Sequence, residues 1–143
     1  MKIFIGADHR GIEMKAQILK HYNDSIELFE IKNSEQNDDD YVDYAKEVSM
    51  KVAETNGLGI LICGNGIGMS IAANKIKGIR CARVWSTDDA YKAKNHNGAN
   101  MIAFGADLEL ELVYEIIDMF INTPSASEER HLRRIEKINN LEA

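Results

Sequence analysis

The chain has 143 residues, of which 45% are hydrophobic and 28% are charged, a composition typical of one globular domain spanning residues 1–143. The formal net charge of −6 argues against nucleic acid as a partner, because no surplus of cations is available to neutralise phosphates. The two cysteines, Cys63 and Cys81, favour reduced thiols in a cytoplasmic protein over a disulfide framework. No signal peptide and no apolar run of membrane-spanning length is evident, so we expect no membrane partner.

Short apolar runs alternate with amphipathic stretches along the chain. The runs predict strands at 2–6, 26–31, 58–62, 80–84 and 100–104. The stretches predict helices at 11–22, 41–54, 69–77, 87–94, 108–121 and 127–141, and a polar surface loop at 33–40. Thr87 is the expected N-cap of the fourth helix, and Gly78 the expected end of the third. The alternation predicts a Rossmann-like three-layer α/β/α fold, with a five-stranded parallel sheet and an extra C-terminal helix.

The third predicted strand runs directly into a glycine-rich loop, Cys63-Gly64-Asn65-Gly66-Ile67-Gly68. This loop is not a dinucleotide fingerprint, since Met69 stands where the third glycine is needed, and it lacks the lysine of a P-loop. Backbone N–H groups in such a loop, together with the start of the next helix, can hold an anion and favour the thiolate form of Cys63. A tight strand-to-helix turn with a small buried cysteine is an equally good interpretation of the loop alone.

A second cluster, Asp8-His9-Arg10, follows the first predicted strand. Ligands of parallel sheets bind at the carboxyl ends of the strands, so this cluster is expected at the same edge as Cys63. Arginine is the natural bidentate partner of phosphate, which makes Arg10 a candidate ligand. The alternative is that Asp8 only caps a helix and that Arg10 is a solvated surface residue.

Two further clusters lie later in the chain. His96 precedes the fifth strand, and a histidine able to donate and accept protons would suit the opening of a sugar ring, although a lone histidine is more often structural. Arg130 and Arg134 are four residues apart, so both can converge on one anion from one helix face, whereas Arg133 points elsewhere. The alternative is a basic face paired with neighbouring glutamates. Together the clusters fit proton transfer through an enediolate whose charge the loop N–H groups stabilise.

At these residues the sequence resembles the type B ribose-5-phosphate isomerases, in the family that also contains the galactose-6-phosphate isomerase subunits. The resemblance covers nearly the whole chain. It rests on GADHRG at 6–11, DYVDYA at 40–45, ICGNGIGMSIAANKIKGIR at 62–80, NHNGAN at 95–100 and RHLRRIEKI at 130–138. It implies a flavodoxin-like fold and an aldose–ketose isomerase of the pentose phosphate pathway. It also implies a homodimer, with a tetramer left open, whose active sites are shared between subunits. The sequence has no cofactor motif and no cluster of ligands at metal spacing, so we expect no cofactor and no metal.

The resemblance also implies a role for each matching residue. Cys63 would be the base that moves a proton between C1 and C2, and His96 would assist ring opening. Asn65 would belong to the catalytic loop, where it replaces the usual threonine or serine. The substrate-binding residues would be Gly64, Gly66, Ile67 and Gly68 around the enediolate, Asp8, Tyr44 and Asn97 near the sugar, and His9, Arg130 and Arg134 at the phosphate.

One departure concerns the phosphate. Asp107 stands close to where many members carry an arginine, and Arg10 is the candidate to replace that charge. Because the chain has Cys63, His96 and the arginine pair together, a self-sufficient ribose-5-phosphate enzyme is favoured over one galactose-6-phosphate subunit. The alternatives are an isomerase of another aldose phosphate, such as allose or galactose 6-phosphate, and a phosphosugar-binding module without turnover. A redox protein is disfavoured, since no C-x-x-C pair is present.

Overall fold

The computed structural model describes residues 1–34 and 40–142, so the predicted loop at 33–40 lies largely outside the described residues. The strands are β1 (Ile3–Ala7), β2 (Leu28–Glu30), β3 (Leu58–Cys63), β4 (Cys81–Arg83) and β5 (Met101–Gly105). The helices are α1 (Ile12–Tyr22), α2 (Tyr41–Thr55), α3 (Ile67–Ala73), α4 (Thr87–Asn97), α5 (Leu110–Asn122) and α6 (Glu129–Asn139). None of these helices is long and apolar enough to cross a membrane.

The strands form one parallel sheet in the order β2-β1-β3-β5-β4. Every residue of β1, β3 and β5 is buried, as expected for strands covered on both faces. Helices α1, α4 and α5 pack on one face and α2 and α3 on the other, while α6 lies against α4. The predicted three-layer fold and its additional C-terminal helix are therefore confirmed.

The sheet order determines where a ligand is expected to bind. The chain leaves β1 toward one edge of the sheet and returns at β3 to build the other side. The crevice outside the carboxyl ends of β1 and β3 is therefore the topological switch point, the usual ligand site in such folds. Asp8 follows β1 and Cys63 ends β3, so both candidate residues lie at this crevice.

The bounds of α3 and the N-cap of α4 differ from the prediction. Helix α3 begins at Ile67 and ends at Ala73. It ends there because the Asn74 side chain pairs with the backbone of Cys81: Oδ1 accepts from the amide N–H at 2.7 Å, and Nδ2 donates to the carbonyl oxygen at 2.9 Å. This pairing joins Asn74 to the first residue of β4, so the helix ends before the predicted end at Gly78. The N-cap of α4 is Ser86 rather than Thr87, since the Ser86 hydroxyl accepts from the Asp89 N–H at 3.1 Å.

Candidate active site

The glycine-rich loop wraps around the sulfur of Cys63. The Gly66 N–H donates to Cys63 Sγ at 3.1 Å, and the cysteine itself is buried at the end of β3. Gly66 has a φ of 81°, and a Cβ there would lie 2.8 Å from the backbone of Phe104. The Asn65 side chain accepts from the Ile67 N–H at 3.0 Å, which closes the turn into α3. The loop therefore places a backbone donor on the sulfur and requires glycine to do so.

The segment after β1 lies against this loop. The Asp8 N–H donates to the Ile62 carbonyl at 3.1 Å, and the Asp8 carboxylate accepts from the Arg10 N–H at 3.0 Å. The Arg10 guanidinium covers Gly64 so closely that a Cβ at residue 64 would lie 2.6 Å from its Nη1. His9 is exposed at the same turn. The turn that follows β1 thus places both Asp8 and Arg10 beside the cysteine loop.

Helix α2 supplies two tyrosines near the loop. Tyr44 is buried in the same hydrophobic cluster as Cys63, and its hydroxyl accepts from the Ser34 N–H at 3.0 Å. The ring of Tyr41 lies on Gly68, where a Cβ would be 2.5 Å from the ring. Tyr41 did not emerge from the sequence, because its contact depends on the absence of a side chain at residue 68. These contacts fix the start of α3 against the start of α2.

A carboxylate borders the loop on the β5 side. The Asp107 side chain lies over Gly105, and a Cβ at Gly105 would be 2.8 Å from the Gly64 carbonyl oxygen and 2.9 Å from Asn65 Cα. The residue that departs from the family pattern therefore lies at the site itself. Asp107 therefore brings a negative charge to this side of the loop, whereas the Arg10 guanidinium brings a positive charge to Gly64.

The remaining candidates form a second group around α4 and α6. The His96 ring stacks on the ring of His131, with centroids 4.5 Å apart and an interplanar angle of 16°. Asn97 is exposed at the last residue of α4, and Arg130 pairs with Glu128 at 3.0 Å. Arg134 is exposed on α6. The structure thus keeps His96, Asn97 and the arginine pair together, apart from Cys63.

His131 is the buried centre of this second group. Its Nε2 has no hydrogen-bond partner among the described residues, and the nearest carboxylate oxygen, on Glu128, is 3.7 Å away. Burial, followed by the neighbouring His96 and Arg130, lowers the pKa of His131. The RHLRR cluster contained this residue, but only the packing shows that it supports His96.

The two groups lie at opposite ends of the sheet. Helix α4 ends at the amino side of the strands, where the Asn100 carbonyl accepts from the Gly59 N–H at 2.9 Å. Cys63 is four residues further along the same strand, a separation of about 13 Å. Cys63 therefore lies at the carboxyl end of β3, whereas the helix that carries His96 ends near the amino end of the same strand.

Arg83, at the end of β4, donates from Nε to the Asn65 carbonyl at 2.8 Å, a contact with no signal in the sequence pattern.

Across residues 1–34 and 40–142, no three His, Cys, Asp or Glu side chains are grouped so that they could hold a metal ion.

The chain matches the model of a known protein family. The family model described as Ribose/Galactose Isomerase matches residues 3–138. The chain belongs to the ribose/galactose isomerase family. This membership confirms the resemblance found in the sequence and the isomerase that it implied.

Relatives in the ribose/galactose isomerase family match along nearly their whole length. Ribose-5-phosphate isomerase B of Escherichia coli is 37% identical over 145 residues, covering 99% of this chain and 96% of the relative. Its counterpart from Mycolicibacterium paratuberculosis is 37% identical over 142 residues, covering 95% and 88%. The solved type B ribose 5-phosphate isomerase of Trypanosoma brucei superposes with a TM-score of 0.89 at 40% identity, covering 99% of this chain and 98% of that one. The enzyme from Clostridium thermocellum gives a TM-score of 0.92 at 34% identity, covering 99% and 97%.

Proposed function

We propose that this member of the family interconverts ribose 5-phosphate and ribulose 5-phosphate, as the names of its relatives indicate for those proteins. The observation that carries the proposal is the Cys63 sulfur, which receives a backbone N–H in a glycine loop at the switch point of the sheet. A sugar-binding module without turnover would not need a thiol presented in this way. The expected cytoplasmic location stays a prediction.

In this mechanism, the Cys63 thiolate removes the proton from C2 of the open-chain aldose and forms an enediolate. The resulting thiol returns the proton to C1, while a proton moves from O2 to O1, so that the ketose is formed without any net redox change. The negative charge that develops on oxygen is stabilised by loop N–H groups between Gly64 and Gly68. Asp8 after β1, Asn65 in the cysteine loop and Tyr44 of α2 would orient the sugar.

His96 enters the mechanism from a second copy of the chain. Cys63 ends β3, whereas α4, which carries His96, ends near Gly59 at the amino side of that strand, about 13 Å from Cys63 along the strand direction. A two-fold homodimer can place the His96 group of each chain over the Cys63 loop of the other, which makes two equivalent sites. His96 would then open the sugar ring, Asn97 would contact a hydroxyl, and a pair of such dimers could form a tetramer.

The phosphate is held by cations from both chains in this arrangement. Arg130 and Arg134 come from α6 beside His96, while His9 and Arg10 come from the Cys63 side. Arg10 lies on Gly64 and would add positive charge to a site where the carboxylate of Asp107, over Gly105, would repel the phosphate.

The test is isomerase activity on ribose, allose and galactose phosphates, measured for the wild type, Cys63→Ala and Cys81→Ala. Burial raises the pKa of the Cys81 thiol to about 12, so Cys81→Ala is a matched control that removes a thiol without a role in proton transfer. We expect the highest kcat/KM on ribose 5-phosphate and no measurable turnover by Cys63→Ala. Retention of a tenth of kcat by Cys63→Ala, a loss of only about 1.4 kcal/mol in the barrier, would contradict the proposed base.

A further inference from the structure

A single peptide unit connects Cys63 to an arginine outside all the motifs described above. The unit joins Asn65 to Gly66, and its N–H donates to Cys63 Sγ at 3.1 Å. Its carbonyl oxygen, on the opposite side of the same plane, accepts from Arg83 Nε at 2.8 Å. Because a peptide is planar, the direction of the carbonyl fixes the direction of the N–H. A contact that holds the oxygen therefore also aims the donor at the sulfur.

The orientation of this peptide is not fixed by the loop alone. Gly66 has a φ of 81°, and glycine populates positive and negative φ about equally well. A flip of the Asn65–Gly66 peptide would turn its N–H away from the sulfur and its carbonyl toward it. The carbonyl dipole would then oppose negative charge on Cys63 rather than stabilise it.

Arg83 is placed to prevent this flip. It is the last residue of β4, an edge strand next to β5, and its guanidinium carbon lies 4.7 Å from the centre of the Trp85 ring. Stacking on an indole restricts the planar guanidinium, so less freedom is lost when Nε binds the carbonyl. A donor that carries charge also makes the stronger kind of hydrogen bond.

We propose that Arg83 is a positioning residue that holds the Asn65–Gly66 peptide with its N–H on Cys63 Sγ. Arg83 acts through the peptide and does not itself contact the reacting atoms. The kinetic part of this inference rests on the proposed function, whereas the reactivity of the free thiol does not. A test on the thiol therefore separates failure of this inference from failure of the isomerase proposal.

The experiment measures alkylation of Cys63 by iodoacetamide without substrate, between about pH 5 and 10, with the labelled peptide identified by mass spectrometry so that Cys81 is counted separately. The variants are Arg83→Met and, as the matched control, Arg133→Met, which removes an equal charge from an exposed position on α6. Both changes are at exposed residues, and thermal melting verifies that each protein is folded.

Arg83→Met should slow alkylation of Cys63 about tenfold on the rising part of the pH profile and leave the plateau at high pH unchanged, as expected for loss of one charge-assisted hydrogen bond. Arg133→Met should match the wild type. The difference should persist in about 0.5 M KCl, where a simple field effect of an exposed charge is screened. On ribose 5-phosphate, kcat should fall with little change in KM.

Three results would overturn the role of Arg83. The first is an alkylation profile of Arg83→Met that coincides with the wild type. The second is a difference that disappears in high salt, which would make Arg83 a through-space charge. The third is a raised KM with unchanged kcat, which would make Arg83 a direct substrate ligand.

Discussion

Gly66→Ala tests whether the loop backbone determines the chemistry at Cys63. Gly66 has a φ of 81°, which costs a residue with a Cβ about 1–2 kcal/mol. The new Cβ would also lie 2.8 Å from Cα and 3.0 Å from the carbonyl carbon and amide nitrogen of Phe104. These atoms belong to the buried strand β5 and cannot move aside, so overpacking adds about 1–3 kcal/mol. The total expected loss of unfolding free energy is about 2–5 kcal/mol.

Gly78→Ala is the matched control for this substitution. Gly78 has a φ of 87°, but a Cβ there would have no neighbour within 4 Å, so only the cost of about 1–2 kcal/mol for the backbone conformation applies. Urea unfolding of both variants isolates the contact with β5 as the difference between them. Gly66→Ala should also lose most isomerase activity, since the loop must move to relieve the contact. Equal stability losses, or full activity of Gly66→Ala, would refute this reasoning.

Two further predictions concern the α6 side of the site. Arg130→Ala and Arg134→Ala should each raise KM for ribose 5-phosphate roughly 10- to 100-fold, and Arg133→Ala should have little effect, because losing one charged partner of a bound phosphate costs roughly 1.5–3 kcal/mol; an equal effect of all three would contradict the proposed phosphate site. The second concerns pH. The pKa of His131 is lowered in the folded state, so the unfolded chain binds more protons below about pH 6.5, and stability is lost as the pH falls through that region. Between about pH 7.5 and 5.5, urea midpoints should fall further for the wild type than for His131→Phe, which keeps a ring against His96 but cannot be protonated; equal decreases would show that His131 does not titrate in this way.

The sequence predicted the sheet because its strands are continuous apolar runs between helices of clear periodicity. It also grouped Asp8, Arg10 and Cys63 correctly, since residues after parallel strands collect at one edge. The start of α3 was misplaced because Gly68 is a poor helix former and was assigned to the loop, although Ile67 and Gly68 are helical. Its end was misplaced because the pairing of Asn74 with Cys81 joins residues whose contact no local pattern encodes.

Side-chain contacts made across the sheet could not be predicted. The approach of Arg10 to Gly64 and of Tyr41 to Gly68 depends on the space left by a missing Cβ, which a sequence pattern does not specify. Arg83 ends a strand of three residues, which is too short for its sequence pattern to show which neighbours the arginine contacts. The stacking of His131 beneath His96 likewise required the packing of α6 on α4.

The sharing of one site between two chains is the central claim, and it can be measured directly. Inactive Cys63→Ala and His96→Ala proteins are mixed in equal amounts, unfolded together and refolded, and the recovered isomerase activity is compared with that of wild type treated identically. About half of the dimers should be mixed, each with one intact site and one doubly altered site, so activity should return to about a quarter of the wild-type value. If Cys63 and His96 of one chain served the same site, every site in the mixture would carry an alteration, and no recovery of activity would contradict the shared site.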